Sequence, residues 1–220
     1  MLKVEEITNT IICADCLEIM KQLPDKCVSL CLTDPPYGLK WSQIEMFGKK
    51  CAQTLAVGDL RSWDIRPSLE HFQELKRVSK NQIVWGGNYF ADILGAWKEP
   101  IIWNKKTGNN SYADGELAWT SFPGTLRIYT HQWCGAFKDS ERGIPNVHPT
   151  QKPLALFEWI LNKYSKPGDI ILDPFLGSGT TVAACINLER QYIGIEISPE
   201  YVHAAKTRID KATAQRRLFI

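Results

Sequence analysis

Residues 168–198 constrain the fold of this 220-residue chain more than any other stretch. Residues 168–173 form a short apolar run that ends in an acid, and residues 191–196 form a second run of the same kind. A glycine turn and an apolar helical segment, residues 182–188, lie between the two runs. A strand, a crossover helix and a second strand make a parallel βαβ unit, so the sequence predicts an α/β fold.

The rest of the chain continues this alternation of strand-length apolar runs and helical segments, which is typical of a mostly parallel sheet flanked by helices. Two segments, at about 38–68 and 104–148, are rich in Gly, Lys, Arg, Trp and Asn and are predicted to be largely irregular. The predicted strands are residues 10–14, 28–33, 82–85, 100–104, 116–120, 126–132, 169–172 and 191–195, and the predicted helices are residues 16–22, 69–78, 89–94, 154–164, 179–188 and 199–211.

The glycine turn after residue 173 is a candidate ligand-binding loop, because glycines let the backbone approach a ligand closely. It is not a dinucleotide fingerprint, since Val182 takes the third glycine position, and it lacks the Gly-Lys-Ser/Thr of a phosphate-binding loop. Asp173 at its base would repel a pyrophosphate but could receive an ammonium group. Glu196 follows at about the spacing at which an acid binds ribose hydroxyls. These residues favour an adenosine ligand with a cationic, amino-acid-like tail; the alternative is a tight turn with an incidental acid.

A second unusual strand end is Thr33-Asp34-Pro35-Pro36-Tyr37. Proline lacks an N–H and fixes φ, so neither a strand nor a helix continues through Pro35 and Pro36. A simple turn needs no such pair, because a glycine alone would reverse the chain. The stretch therefore places a carboxylate, a rigid carbonyl and an aromatic ring at the end of a buried strand. This arrangement is typical of a functional site rather than of a plain turn.

Composition excludes several classes of protein. The net charge is only +2, so a surface for nucleic acid must be a local patch. Seven cysteines, an odd number spread over strand-like runs, indicate reduced thiols rather than a disulfide framework, and they are expected to pack as small hydrophobes rather than bind zinc. No signal peptide and no run of about 20 apolar residues is present, so we expect a cytoplasmic protein without a membrane span. Because the cysteines are expected to pack in the core, we also expect no metal.

Taken together, the two strand ends belong to one pattern. Asp34-Pro35-Pro36-Tyr37 comes first, His148-Pro-Thr-Gln-Lys152-Pro153 follows, and Asp173-Pro-Phe-Leu-Gly-Ser-Gly-Thr180 comes last. In this order the chain resembles, over about residues 10–210, the β subgroup of DNA methyltransferases that act on amino groups, N6 of adenine or N4 of cytosine. The resemblance implies one Rossmann-like domain over residues 1–220 with a mostly parallel, mixed, seven-stranded sheet. It also implies S-adenosylmethionine as cofactor, double-stranded DNA as substrate, and a bacterial, archaeal or phage origin.

The resemblance gives the proline-rich stretch a catalytic role. Asp34 and the carbonyl of Pro35 would each accept an N–H of the target amine, Pro36 would stiffen the loop, and Tyr37 would stack on a base flipped out of the duplex. The sulfonium of the cofactor is already activated, so no metal is required. The leading Asp34 favours adenine N6. Cytosine N4 is the alternative, as is a nucleic-acid-binding protein that retains the fold without activity.

The resemblance also implies a cofactor pocket. Some of its residues have plain structural alternatives: Asp15 could cap a helix, Lys152 could be a solvated residue at a helix start, and Glu196 could be a solvated strand end. The residues expected to line this pocket are Asp15, Cys16, Asp34, Thr150, Lys152, Asp173, Phe175, Gly177, Ser178, Gly179, Thr180 and Glu196.

Contacts to DNA are expected from the two irregular segments, where basic residues alternate with aromatic residues and Asn. Each of these residues could equally be a solvated surface charge. The small size of the second segment favours a homodimer, and a cognate restriction endonuclease is a further expected partner. The predicted DNA-contacting residues are Lys40, Trp41, Lys49, Lys50, Arg61, Lys105, Lys106 and Arg142.

Overall fold

A computed structural model describes residues 2–39, 64–108, 113–134, 137–144, 146 and 150–217. The strands are β1 Thr10–Cys13, β2 Val28–Thr33, β3 Ser79–Trp85, β4 Ile101–Asn104, β5 Gly115–Thr120, β6 Arg127–Thr130, β7 Trp133–Cys134, β8 Phe137–Lys138, β9 Ile170–Asp173 and β10 Gln191–Glu196. The helices are α1 Val4–Ile7, α2 Cys16–Met20, α3 Leu69–Val78, α4 Ala91–Leu94, α5 Leu154–Tyr164, α6 Thr180–Asn187 and α7 Pro199–Arg217, with a 3-10 turn at Gly87–Tyr89.

The main sheet has the order β1-β10-β9-β2-β3-β5-β4-β6. Its first five strands are parallel, β5 is antiparallel to both of its neighbours, and β6 returns parallel to β4. The predicted mixed, mostly parallel sheet flanked by helices is thereby confirmed. The sheet contains all eight strands predicted from the sequence, one more than the seven that the resemblance implies, with β6 paired to β4 at its edge.

The remaining differences lie at the ends of elements. Helix α2 stops two residues before its predicted end, the predicted helix 89–94 divides into the 3-10 turn and α4, and α7 runs on to Arg217. Strand β3 begins early because Ser79 pairs with Val28 of β2, although its first residues are polar. Helix α1 and the ribbon of β7 and β8 were not predicted, since each is too short to show a periodic pattern.

The core lies on both faces of the sheet, as strand β2 shows. Cys31 packs on one face with Phe72 of α3, whereas Leu30 packs on the other face with Leu156 of α5. Strands buried on both faces have nearly continuous apolar sequences, which explains the uninterrupted run in β2. Fully burying a side chain of this size contributes about 1.5–3 kcal/mol, so this double packing fixes β2 firmly at the centre.

The site is placed by the order of the central strands. Strands β10, β9, β2 and β3 are parallel neighbours, so their carboxyl ends lie at one edge of the sheet. The chain order reverses between β9 and β2, and ligands of open α/β sheets bind at such a switch point. The loops after Thr33 and after Asp173 therefore lie side by side. In the described part of the chain, no helix is long and apolar enough to cross a membrane.

Candidate active site

Asp34 is the first residue after β2, and it lies at the edge of the sheet where that strand ends. The Tyr37 hydroxyl donates a hydrogen bond to Asp34 Oδ1 at 2.7 Å, which folds the loop back on itself. Pro35 is buried beside them. Gly38, at φ +70°, then donates its N–H to Asp64 Oδ1 at 2.9 Å. The predicted strand end is thus a compact loop that presents a carboxylate.

The Tyr37 ring is held by the loop after β3. It stacks on the Tyr89 ring with centroids 4.7 Å apart and meets the edge of Phe90 at 6.0 Å. A Cβ on Gly86 would lie 2.2 Å from Tyr37 Cε1, so only glycine fits there, and its φ of +70° also favours glycine. The glycine after Trp85 is therefore explained by the close approach of the tyrosine ring.

Lys152 joins this loop to the centre of the sheet. It is 5% exposed, and its ammonium forms ion pairs with Asp34 and, at 3.0 Å, with Glu116 Oε2 on β5. Lys105 also pairs with Glu116, and its ammonium lies over the Trp103 ring. Sequence reasoning placed Lys152 at the cofactor and did not identify Glu116, although an acid in the otherwise apolar β5 was a visible signal.

The charges in this chain of ion pairs influence one another. Burial raises the pKa of Asp34 and Glu116 raises it further, against the opposing effect of Lys152. Burial also acts to raise the pKa of Glu116, but the ammonium groups of Lys152 and Lys105 hold it down at about 2. Asp34 and Glu116 raise the pKa of Lys152 despite its burial. Lys152 and Glu116 are therefore charged at neutral pH.

Asp173 ends β9 and organises the glycine loop from within. One of its carboxylate oxygens accepts from the Thr33 hydroxyl at 2.8 Å and from the Phe175 N–H at 3.2 Å, and the other accepts from the Thr181 hydroxyl. Burial raises the pKa of Asp173 to about 6 despite these donors. Thr33 and Thr181 were not predicted as site residues. Asp173 thus links β2, β9 and the start of α6.

Glu196 ends β10 and supports the same loop from the other side. Its Oε2 accepts the Gly177 N–H at 2.8 Å, and its Oε1 accepts the Ser198 N–H at 2.9 Å. Gly177 and Gly179 have φ of +51° and +76°, which glycine adopts without strain. The loop is therefore shaped by its glycines and by acids at the ends of two neighbouring strands.

Asp15 and Cys16 begin α2 near this loop. Asp15 Oδ1 accepts the Leu17 N–H at 2.8 Å, so the helix-cap interaction considered for it is present. Cys16 is buried, and that burial raises the pKa of its thiol to about 12. The side chain of His71, which was not predicted, approaches both residues, with polar atoms of all three within 4.8 Å of one another, and its ring lies 6.1 Å from that of Phe175.

A single pocket brings together most of the predicted cofactor residues. Asp15, Cys16 and Glu196 adjoin the glycine loop without lining this pocket, and Gly179 lies within the loop between two lining residues. Gln151, Phe157, Leu176 and Thr181 line it as well and were not predicted. The predicted residues that line it are Asp34, Thr150, Lys152, Asp173, Phe175, Gly177, Ser178 and Thr180.

The predicted DNA-contacting residues divide into two groups. Lys105 points inward to Glu116, Lys106 is half exposed and pairs with Asp139 at 3.4 Å, and Arg142 is exposed, with its Nε donating to the Lys138 carbonyl at 2.8 Å. Lys106 and Arg142 thus lie at the surface. The others, which lie outside the described residues, are Lys40, Trp41, Lys49, Lys50 and Arg61.

Comparisons with known proteins agree with this geometry. The M1.HpyAVI–SAM complex is 27% identical, with a TM-score of 0.58, and the match covers 91% of this chain and 98% of that one. The PvuII cytosine-N4-specific DNA methyltransferase, 19% identical with a TM-score of 0.60 over 93% of this chain and 90% of its own, supports the fold. Type II methyltransferase M.HpaI of Haemophilus parainfluenzae is 31% identical over 91% of this chain and 74% of its own length.

The family model of N6/N4 DNA methylases matches residues 28–207, a span that holds both strand-end motifs. It confirms the resemblance to amino-group methyltransferases, and the neighbouring structures confirm the Rossmann-like methyltransferase fold. The chain therefore belongs to the N6/N4 DNA methylase family, which transfers methyl groups to amino groups of DNA from S-adenosylmethionine.

Proposed function

We propose that this protein methylates adenine at N6 in double-stranded DNA. The observation that carries the proposal is the position of Asp34, whose carboxylate both ends the Asp-Pro-Pro-Tyr loop and lines the pocket of the glycine loop. A group bound in the pocket and a base lying against the loop would meet at this residue. The aspartate at this position favours adenine N6 over cytosine N4.

The pocket lining fits S-adenosylmethionine. Asp34, Asp173 and Lys152 line it, so both charges of an amino-acid tail would find opposite charges there. The Phe175 ring offers an apolar wall for an adenine. Glu196, beside the loop, is our candidate for the ribose hydroxyls. When bound, the cofactor supplies an activated methyl group on a sulfonium.

Asp34 retains the capacity to hold the target amine. A carboxylate has about four acceptor positions, and the hydrogen bonds from Tyr37 and Lys152 use two of them. One amine N–H would bind to Asp34 and the other to the Pro35 carbonyl. Two fixed acceptors draw the nitrogen lone pair out of conjugation and direct it at the methyl group. The amine proton then leaves to water.

A base reaches this site only by leaving the duplex. Tyr37 and the neighbouring Tyr89, which is 40% exposed, are our candidates for the aromatic surface on which it stacks. Surface cations such as Lys106 and Arg142 would hold the phosphates on either side. The Type II name of M.HpaI supports a role in restriction and modification. A restriction endonuclease as partner stays a prediction.

The test is transfer of labelled methyl from S-adenosylmethionine to duplex DNA, followed by mass spectrometry of the nucleosides. We expect N6-methyladenine from the wild type. Asp34→Ala, which removes one amine acceptor, should lose at least about a hundredfold in kcat. The matched control is Asp25→Asn, an exposed acid paired with Arg77 away from the pocket, which should keep wild-type activity. N4-methylcytosine would refute the choice of base, and a wild type that methylates no DNA would refute the function.

A further inference from the structure

Glu116 is a charged residue in the site that belongs to none of the sequence motifs. It lies on β5, and its side chain is 24% exposed between two ammonium groups. Lys105 holds Oε1, while Lys152 lies 3.0 Å from Oε2 and pairs at the same time with Asp34. Lys152 is thus shared between two carboxylates, one of them the proposed acceptor of the target amine.

Stability does not explain this arrangement well. Removing several charges from water is costly, and a buried ion pair is often no more stabilising than apolar side chains of similar volume. Asp34 alone would neutralise Lys152, so the additional pair of Glu116 and Lys105 adds desolvation that Lys152 does not require for charge balance. The position of Glu116 is better explained by what Lys152 must do during the reaction.

Lys152 weakens the acceptor that the proposed reaction uses, although it leaves acceptor positions on Asp34 open. Its ammonium binds Asp34 Oδ2, and a carboxylate that is shared with an ammonium is a weaker acceptor for an amine N–H. Lys152 is 5% exposed, and the Trp85 and Tyr37 rings lie 5.5 and 5.9 Å from its ammonium. An ammonium leaving Asp34 would therefore find aromatic rings rather than water, unless another anion were ready.

We propose that Glu116 is a positioning residue that receives Lys152 when the target amine binds, and so frees Asp34 to accept the amine N–H. The proposal rests on the proposed function of Asp34. Only a small movement of the Lys152 side chain is needed, because it already lies 3.0 Å from Glu116 Oε2. Lys105, bound to the other oxygen, keeps Glu116 in place while Lys152 moves.

The charged groups around Asp34 give this proposal a measurable signature. Lys152 lowers the pKa of Asp34, Glu116 raises it, and the Tyr37 hydroxyl donates to it. Asp173 on β9 is a further negative neighbour, and Lys105 acts from behind Glu116. Removing the charge of Glu116 should therefore tighten Lys152 on Asp34 and make Asp34 easier to ionise.

The experiment compares Glu116→Gln with the wild type in kcat, KM for DNA and the pH profile of kcat. We expect kcat to fall about tenfold or more, with KM within about threefold of wild type. We expect the acidic limb of the kcat profile to move to lower pH, because that limb reports ionisation of the acceptor in the bound complex. A side chain with a purely structural role would not shift this limb.

Two further variants complete the test. Glu116→Asp keeps the charge and should return the acidic limb to its wild-type position with part of kcat; it also serves alone if Glu116→Gln does not fold. Glu99→Gln removes another buried carboxylate, which lies just before β4 and is paired with Arg127, and should change stability but neither kcat nor the acidic limb.

Three outcomes would overturn the inference while the wild type still methylates DNA: unchanged kcat in Glu116→Gln, an unmoved acidic limb, or identical profiles for the Gln and Asp variants. If Glu116→Gln does not fold and only Glu116→Asp can be measured, a kcat of Glu116→Asp equal to that of the wild type overturns the inference. A wild type that methylates no DNA refutes the proposed function instead, so the two failures are distinguishable.

Discussion

At the scale of single residues, two aspartates that end neighbouring strands have different environments. Asp34 is paired with a charged donor, Lys152, and lines the pocket. Asp173 is held by the hydroxyls of Thr33 and Thr181, which stabilise its charge less than an ammonium would. Environments that differ in this way assign different tasks to chemically identical groups. Asp34 can meet the target amine, whereas Asp173 holds the glycine loop and lines the pocket proposed for the cofactor.

The raised pKa of Asp173 predicts a specific dependence of stability on pH. Its folded value of about 6 lies above the unfolded value of about 4, so the folded state binds more protons between these two pH values. The contribution of Asp173 therefore favours folding below pH 4 and is lost as the pH rises through 6. Asp173→Asn removes this loss. Relative to wild type, the variant should gain about 2–3 kcal/mol of unfolding free energy between pH 4 and pH 7.

Urea denaturation of both proteins at pH 4 and pH 7 measures this difference. Asn still offers an acceptor to Thr33 and the Phe175 N–H, so the comparison isolates the charge. The prediction is contradicted if the free energies of unfolding of the two proteins change by the same amount between pH 4 and pH 7.

At the scale of elements, the loop after β3 holds the Asp34–Tyr37 loop through a glycine. Gly86→Ala would place a Cβ 2.2 Å from the Tyr37 ring at a φ of +70°. We expect the unfolding free energy to fall by about 2–4 kcal/mol, and kcat to fall with it because Tyr37 supports Asp34. Gly168→Ala is the control, since Gly168 has φ +83° with open space around it, and should cost only about 1 kcal/mol without affecting kcat. Equal losses for the two variants in thermal melts would contradict the steric explanation.

The elements also show how far the sequence predicts the structure. All eight predicted strands are in the sheet, because a central strand such as β2 has an unmistakable apolar run. The ribbon of β7 and β8 has two residues per strand and no pattern to detect. The pair of Lys152 and Asp34 joins residues 118 positions apart, and Glu116 reaches them only through sheet topology. Local patterns predict elements and strand ends, whereas such ion pairs arise only once the chain is folded.

At the scale of the whole molecule, the site lies at the point where the sheet reverses its strand order. The loops after β2 and β9 and the residues around the start of α5 all line one pocket there, so one bound ligand would contact three separate parts of the chain. A ligand that binds only the folded protein stabilises the whole fold by mass action. Cofactor binding and global stability should therefore be coupled.

This coupling gives a prediction for Glu196, the candidate ribose ligand. At 100 times its Kd, S-adenosylmethionine should raise the free energy of unfolding by about 2.7 kcal/mol. Glu196→Gln keeps an acceptor for the backbone N–H of Gly177 or Ser198 but loses the charge that would hold the ribose. If cofactor affinity falls tenfold, the stabilisation at the same concentration drops to about 1.4 kcal/mol.

Glu200→Gln, at an exposed acid in the first turn of α7, is the control and should keep the full effect. Chemical denaturation with and without the cofactor measures each value, and equal stabilisation of wild type and Glu196→Gln would remove Glu196 from the cofactor site.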